Sequence, residues 1–164
     1  MKFLLILIFF LSSAYAQSTA VYFTPSLACE KQIISYIDSS KEKIDAAIYA
    51  INNDAIVDAL IRAHKRGIKI RILTDRTQAG QKSSKVSTLE EAGIPLKRHS
   101  KFRIQHDKFA IFDGKKAVTG SYNWTNSASR KNAENCLFFK RLNKTVKEYD
   151  KRFDKLWQLN LSGG

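Results

Sequence analysis

Between residues 20 and 93 the chain alternates two apolar patterns, and this alternation restricts its fold more than any other feature. Ala20 to Phe23, Asp45 to Ile51 and Ile68 to Leu73 are short runs of the kind that fill strands. The intervening stretches place Leu27, Ile33, Ile34 and Ile37 on one helical face, and Ile56, Val57, Leu60 and Ile61 on another. Ser26 and Asn53 stand where N-caps belong, and Gly67 where a helix-ending glycine belongs. Residues 74–85, polar and containing Gly80 and two serines, predict a mobile loop, and a third helix runs to about Ala92 before Gly93. In the second half, Lys108 to Phe112 and Lys116 to Thr119 flank Asp113-Gly114, a hairpin signal. Asn135 to Phe139 reads as a strand, and 142–159 as a helix carrying Val146, Tyr149, Phe153, Leu156 and Trp157. The expected architecture is one α/β domain, a mixed β-sheet flanked by helices on both faces.

Residues 1–16 stand apart from that pattern. Lys2 precedes nine apolar residues, Phe3 to Leu11, and Ala14-Tyr15-Ala16 has the form of a cleavage signal. The run is shorter than the ~18–20 residues a membrane span needs. It is read as a cleaved signal peptide, with the folded domain at 17–164 and a periplasmic or secreted location. Cys29 and Cys136 either form one disulfide in such a compartment or stay two buried thiols. Two cysteines without spaced partners make no zinc pattern, so no metal is expected. The 28 Lys plus Arg outnumber the 15 Asp plus Glu, giving a net charge of +13. With 44% hydrophobic residues, the chain is no disordered polycation. The excess charge calls for a polyanion, either nucleic acid or an anionic membrane surface.

The chemistry concentrates between Gln105 and Asn135. In a strand, His106 and Lys108 project from one face, and Ser121 and Asn123 share a face after the hairpin, with Gly120 allowing close backbone approach. An imidazole, an ammonium, a hydroxyl and a carboxamide thus gathered suit a phosphate centre: donors for its oxygens and a histidine to attack or move protons. The pattern His106-x-Lys108-x4-Asp113-x6-Gly120-Ser121-x-Asn123 resembles the signature of the phospholipase D superfamily at every position. In length, single motif and leader, the chain looks most like that superfamily's small bacterial endonucleases.

The resemblance implies roles. His106 would be the nucleophile that forms a phosphohistidine, Lys108 and Asn123 the phosphate-oxygen ligands, and Ser121 a nearby supporting group. Glu134 would be the acid that hydrogen-bonds the histidine's other nitrogen, Asp113 and Gly120 structural members of the signature, and no metal or other cofactor is implied. One motif supplies one histidine, whereas the leaving oxygen needs a second proton donor. His99-Ser100-Lys101 copies the beginning of the motif but lacks its remainder, and His64 lies on a helix without the pattern. The expectation is therefore a two-fold homodimer that brings two copies of His106 together.

Lys97, Arg98, Lys101 and Arg103 precede His106 and are read as a phosphate-guiding rim, while further basic residues between Arg62 and Arg76 and from Arg130 to Arg141 suit a long polyanion. Phe102, Tyr122 and Trp124 are either base-stacking groups or core. The leading reading is a metal-independent, non-specific endonuclease acting on DNA, with RNA as a further candidate substrate. The alternatives are a phospholipase D acting on glycerophospholipid headgroups, with peripheral membrane association, and a non-catalytic nucleic-acid-binding module. Asn123-Trp124-Thr125 is a glycosylation sequon. A glycan there would block the phosphate site, which favours a bacterial periplasm.

Overall fold

A computed structural model describes residues 18–99 and 101–159; the expected leader at 1–16 lies outside them. The elements run β1 (Ser18–Phe23), α1 (Ala28–Asp38), β2 (Lys43–Ile48), α2 (Asp54–Lys65), β3 (Lys69–Asp75), α3 (Arg76–Ala79), α4 (Val86–Glu91) and β4 (Leu96–His99). They continue with β5 (Lys108–Phe112), β6 (Lys116–Gly120), α5 (Asn126–Arg130), β7 (Asn135–Lys140) and α6 (Asn143–Leu159). Seven strands form one mixed sheet in the order β1-β7-β6-β5-β2-β3-β4. The crossovers through α2 and through α3–α4 make β2, β3 and β4 parallel. The remaining strand pairs are antiparallel.

Strand periodicity divides the core into two layers. Ile44, Ala46 and Ile48 of β2, with Ala110 and Phe112 of β5, pack in one layer with Ile33 and Ile37 of α1 and Ile56, Val57 and Leu60 of α2. The alternate residues Ala47, Phe109 and Ile111 pack with Val146, Phe153 and Leu156 of α6. Helices therefore cover both faces, as the sequence pattern requires. The buried Asp45 carboxylate ties β2 to the β3–α6 side: Arg71 donates to it through Nε at 2.6 Å and Nη2 at 2.9 Å, and also reaches Asp154 at 2.8 Å. Burying this carboxylate is tolerable because the guanidinium answers it with two parallel bonds.

Asn53 caps α2 by accepting the Ile56 N–H, and Gly67 follows that helix at φ +85°, both as expected. Several details differ from the sequence reading. The N-cap position of α1 is Leu27, which stays exposed, while Ser26 accepts the Ala28 N–H one residue earlier. The stretch 74–85 is not simply loop: Thr74 and Asp75 are buried at the end of β3, and Asp75 caps α3 by accepting the Gln78 N–H at 3.0 Å. β4 and α5 are too short to give a periodic signal. Cys29 and Cys136 are disulfide-bonded, joining α1 to β7.

Candidate active site

The site lies at one end of the sheet, where β5 begins and β6 ends. Strand pairing sets Ile48 opposite Lys108, Phe109 opposite Thr119, and Gly120 opposite Cys136. The beginning of β5, the end of β6 and the beginning of β7 therefore share one edge. His106, Lys108, Gly120, Ser121, Asn123, Glu134 and Asn135 line a cleft of about 590 Å³ there. The five residues to which chemistry was assigned from sequence thus converge, although they span 29 positions of the chain.

His106 precedes β5 and is held from the neighbouring strand. The Tyr49 N–H donates to the Asp107 carbonyl at 3.0 Å, and the Tyr49 ring meets the imidazole edge-on with centroids 4.6 Å apart. Lys108 Nζ donates to the His106 carbonyl at 2.8 Å and lies 5.0 Å from the centroid of the same Tyr49 ring. Burial holds the Lys108 ammonium below its ordinary value, with Glu134 and Asp107 pulling the other way. A partly desolvated cation of this kind is a strong partner for a phosphate oxygen. Tyr49 itself was indistinguishable from core in the sequence, because it directly follows β2 and the residues on both sides of it, Ile48, Ala50 and Ile51, are apolar.

Ser121 Oγ donates to Glu134 Oε2 at 2.6 Å and accepts the Asn135 N–H at 3.1 Å, while Asn132 Nδ2 donates to Glu134 Oε1 at 2.9 Å. Both Glu134 oxygens are thus occupied by the chain itself, and the bond to the His106 imidazole implied by the resemblance is not among them. Thr24 secures this corner: its hydroxyl donates to the Asn132 carbonyl at 2.7 Å and accepts the Glu134 N–H at 2.9 Å. Asn123 Oδ1 is buried and accepts no hydrogen bond from the described residues. Gly120 sits at φ +147°, and a Cβ there would lie 2.3 Å from the Asn135 carbonyl oxygen. That oxygen instead accepts the N–H groups of Ser121 at 3.1 Å and Tyr122 at 3.3 Å.

Asp113 belongs to the motif in sequence only. It lies at the far end of β5, five strand residues or roughly 17 Å from Lys108. Its carboxylate accepts the backbone N–H groups of Lys41, Glu42 and Lys43, which lead into β2. Burial alone would raise its pKa, but the three donors outweigh burial and hold the group below its ordinary value.

The expected basic rim divides. Lys97 turns to the end of α6, donating to the Trp157 carbonyl at 3.0 Å and covering the Trp157 ring, and Arg98 pairs with Glu90 in two parallel bonds. Neither lines the cleft. Arg103 does approach His106: with Phe102, Ile104, Gln105, Asp107 and Arg152 they line an adjoining hollow of about 550 Å³. Lys101 lies in the same connection, its N–H donating to His99 Nδ1 at 3.2 Å. Of the basic residues between Arg62 and Arg76, Arg71 is absorbed by Asp45 and Asp154, and Arg62 and Arg66 pair with Asp38. Of the three aromatics, Tyr122 and Trp124 are core, at 3% and 1% exposure, and burial pushes the Tyr122 hydroxyl up to about 12. Phe102 stays 44% exposed, its ring stacked on His99. Among the described residues no group of three or more His, Cys, Asp or Glu is placed to hold a metal ion.

A family model described as cardiolipin synthase, phospholipase D-like domain matches residues 33–157. The phospholipase D of Rickettsia prowazekii (strain Madrid E) is 39% identical over 127 residues, covering 77% of this chain and 62% of that protein. The mitochondrial cardiolipin hydrolase of Chlamydomonas reinhardtii is 32% identical over 128 residues, covering 78% and 57%. The chain thus spans about 60% of the length of these curated relatives. Among solved structures, the phospholipase D family member Nuc from Salmonella typhimurium superposes with a TM-score of 0.83 at 31% identity, covering 87% of this chain and 95% of that one. NucT from Helicobacter pylori gives 0.78 at 25% identity, covering 87% and 97%.

Proposed function

The chain belongs to the phospholipase D superfamily, and from that premise we propose that it is a metal-independent phosphodiesterase that cleaves nucleic acid at the interface of a two-fold homodimer. The observation that carries this reading is the convergence of His106, Lys108, Ser121, Asn123 and Glu134 on one open, polar cleft. Lys108 and Asn123 hold the phosphate oxygens. One His106 attacks phosphorus through a ring nitrogen as the bond to the leaving oxygen breaks. His106 of the partner subunit, protonated beforehand, gives that oxygen its proton. Water then displaces the phosphoryl group: the phosphorus–nitrogen bond breaks, and the partner's His106 takes a proton back. Each Glu134 oxygen keeps a lone pair beyond its bond to Ser121 or Asn132, and in this proposal one of them would accept the other N–H of the attacking imidazole.

Two features support dimerisation. The cleft holds a single histidine, and Phe102 and Ile104, beside His106, are 44% and 50% exposed, an apolar edge that a second copy would cover. The net charge of +13 favours a polyanionic substrate. Residues 1–16 in this proposal are a cleaved leader to the periplasm or exterior, where the Cys29–Cys136 disulfide is at home.

A second reading, hydrolysis of a phospholipid headgroup, is favoured by the likeness to the Rickettsia phospholipase D and the Chlamydomonas cardiolipin hydrolase. The exposed Phe23, paired across from cleft-lining Asn135, also favours it. The test compares wild type, His106→Ala and Lys108→Ala on plasmid DNA and on phospholipid vesicles, with EDTA throughout and the oligomeric state read by sedimentation. Cutting of DNA by wild-type dimers alone, falling as salt rises, is expected. Turnover of lipid alone selects the second reading, and undiminished cutting by His106→Ala overturns both.

A further inference from the structure

Beneath the cleft lies a buried carboxylate that the chemistry above does not use. Glu30, on α1, is 6% exposed. Three polar side chains gather around it, all within 3% exposure: Asn53, Tyr122 and Ser129. Asn53 Nδ2 donates to Glu30 Oε2 at 2.6 Å, Ser129 Oγ donates to the same oxygen at 2.8 Å, and the Tyr122 hydroxyl lies 2.6 Å from Ser129 Oγ. Proton counting sets the direction of this chain. A carboxylate only accepts, so the Ser129 proton points to Glu30, and the Tyr122 proton must then point to Ser129. Arg130 Nη1, on a half-exposed side chain, stands 3.5 Å from the carboxylate.

The geometry points to Glu30 as a positioning residue for Asn123, acting through the segment Ser121 to Thr125. Along this segment Ser121 and Asn123 line the cleft while Tyr122 and Trp124 enter the core. Glu30 grips both inward members. It holds the tip of Tyr122 through Ser129. It also fixes Asn53, whose backbone N–H, with that of Asn52, donates to the Trp124 carbonyl at 3.0 and 2.9 Å. Asn123 lies between the two grips, its carbonyl accepting the Thr125 N–H at 2.8 Å. Cys29, next to Glu30 on α1, bonds Cys136 of β7, opposite Gly120, so one turn of α1 supports both walls of the cleft. Among the described residues, no side-chain polar atom of Glu30, Asn53, Tyr122 or Ser129 is both fully buried and without a partner, the condition under which a buried polar cluster rigidifies what it touches.

The inference rests on the phosphodiesterase reading for its kinetic consequence but not for its structural one. Tyr122→Phe keeps the ring and deletes the hydroxyl; Glu30→Gln keeps the shape and deletes the charge. With bis(p-nitrophenyl) phosphate as the probe substrate, kcat falls about tenfold in each while KM stays within about twofold, since a small misplacement acts chiefly on the transition state. In an Asn123→Ala background Tyr122→Phe adds no further loss, whereas a merely structural role would lower both backgrounds alike. Independently of activity, the Asn123 side-chain amide resonances shift or broaden in Tyr122→Phe. Wild-type resonances in that variant, or additive losses of kcat, overturn the proposal. A wild-type protein inert towards the probe overturns the phosphodiesterase reading instead and leaves the resonance test to decide. If Glu30→Gln does not fold, the decision rests on Tyr122→Phe.

Discussion

Gly120→Ala is the sharpest test of how the cleft is built. Gly120 occupies φ +147°, and an added Cβ would meet Asn135 O at 2.3 Å and Asn135 Oδ1 at 2.9 Å. The carbonyl is backbone of β7 and cannot rotate away without releasing the Ser121 and Tyr122 N–H groups it accepts. Backbone strain at such a φ costs about 1–3 kcal/mol, and forcing a methyl into a filled space costs about another 1–3 kcal/mol. A total near 4 kcal/mol corresponds to a fall in Tm of about 10 °C for a domain of this size. Calorimetry measures it, with Gly67→Ala as the control. Gly67 has φ +85° but nothing within 4 Å of its Cβ position, so only the conformational penalty of about 1–2 kcal/mol remains. Activity separates the two further. Gly120→Ala displaces Ser121 from Glu134 and lowers kcat at least tenfold, while Gly67→Ala leaves it unchanged. A Gly120→Ala protein whose Tm and kcat match those of Gly67→Ala would refute the close-approach argument.

Replacing Cys29 and Cys136 by serine opens a crosslink spanning 107 positions, which loop-closure entropy values at about 4–5 kcal/mol; an unchanged urea midpoint would refute that. Asp113 has a folded pKa below its ordinary 3.8, so its contribution is full above the unfolded value and disappears as pH falls through the folded one. The difference in urea midpoint between wild type and Asp113→Ala is therefore large at neutral pH and closes under strong acid. A gap independent of pH would be inconsistent with charge-assisted bonding to the three backbone donors. Burial lowers the Lys108 pKa below 10.5, so the affinity for inorganic phosphate, followed by calorimetry, is lost on the alkaline side with a midpoint below that value. A midpoint at or above 10.5 would show that Lys108 is fully solvated.

The sequence alone determined the properties that rest on local repetition. Period-two runs and helical faces identified the strands β1, β2, β3, β5, β6 and β7 and the helices α1, α2 and α6, because burial imposes those periods wherever an element meets the core, and Gly93 marked the end of α4. The motif from His106 to Asn123 marked the cleft because its spacing is set by one hairpin, and the resemblance to the phospholipase D signature added Glu134. Tertiary structure decided what depends on pairing across distance. Asp113 belongs to the motif in sequence yet binds the backbone at the opposite end of β5, since a strand of five residues separates its ends regardless of what they carry. Lys97 and Arg98 adjoin the motif in sequence yet face α6 and Glu90, because β4 pairs at the opposite edge of the sheet from β1. Tyr49 beneath His106, Thr24 behind Glu134 and Glu30 under Tyr122 come from elements remote in the chain, and no periodicity records which elements a sheet order will bring together. The pairing of the two cysteines was undecided for the same reason: residues 107 positions apart meet only when β7 is laid beside β1 and under α1.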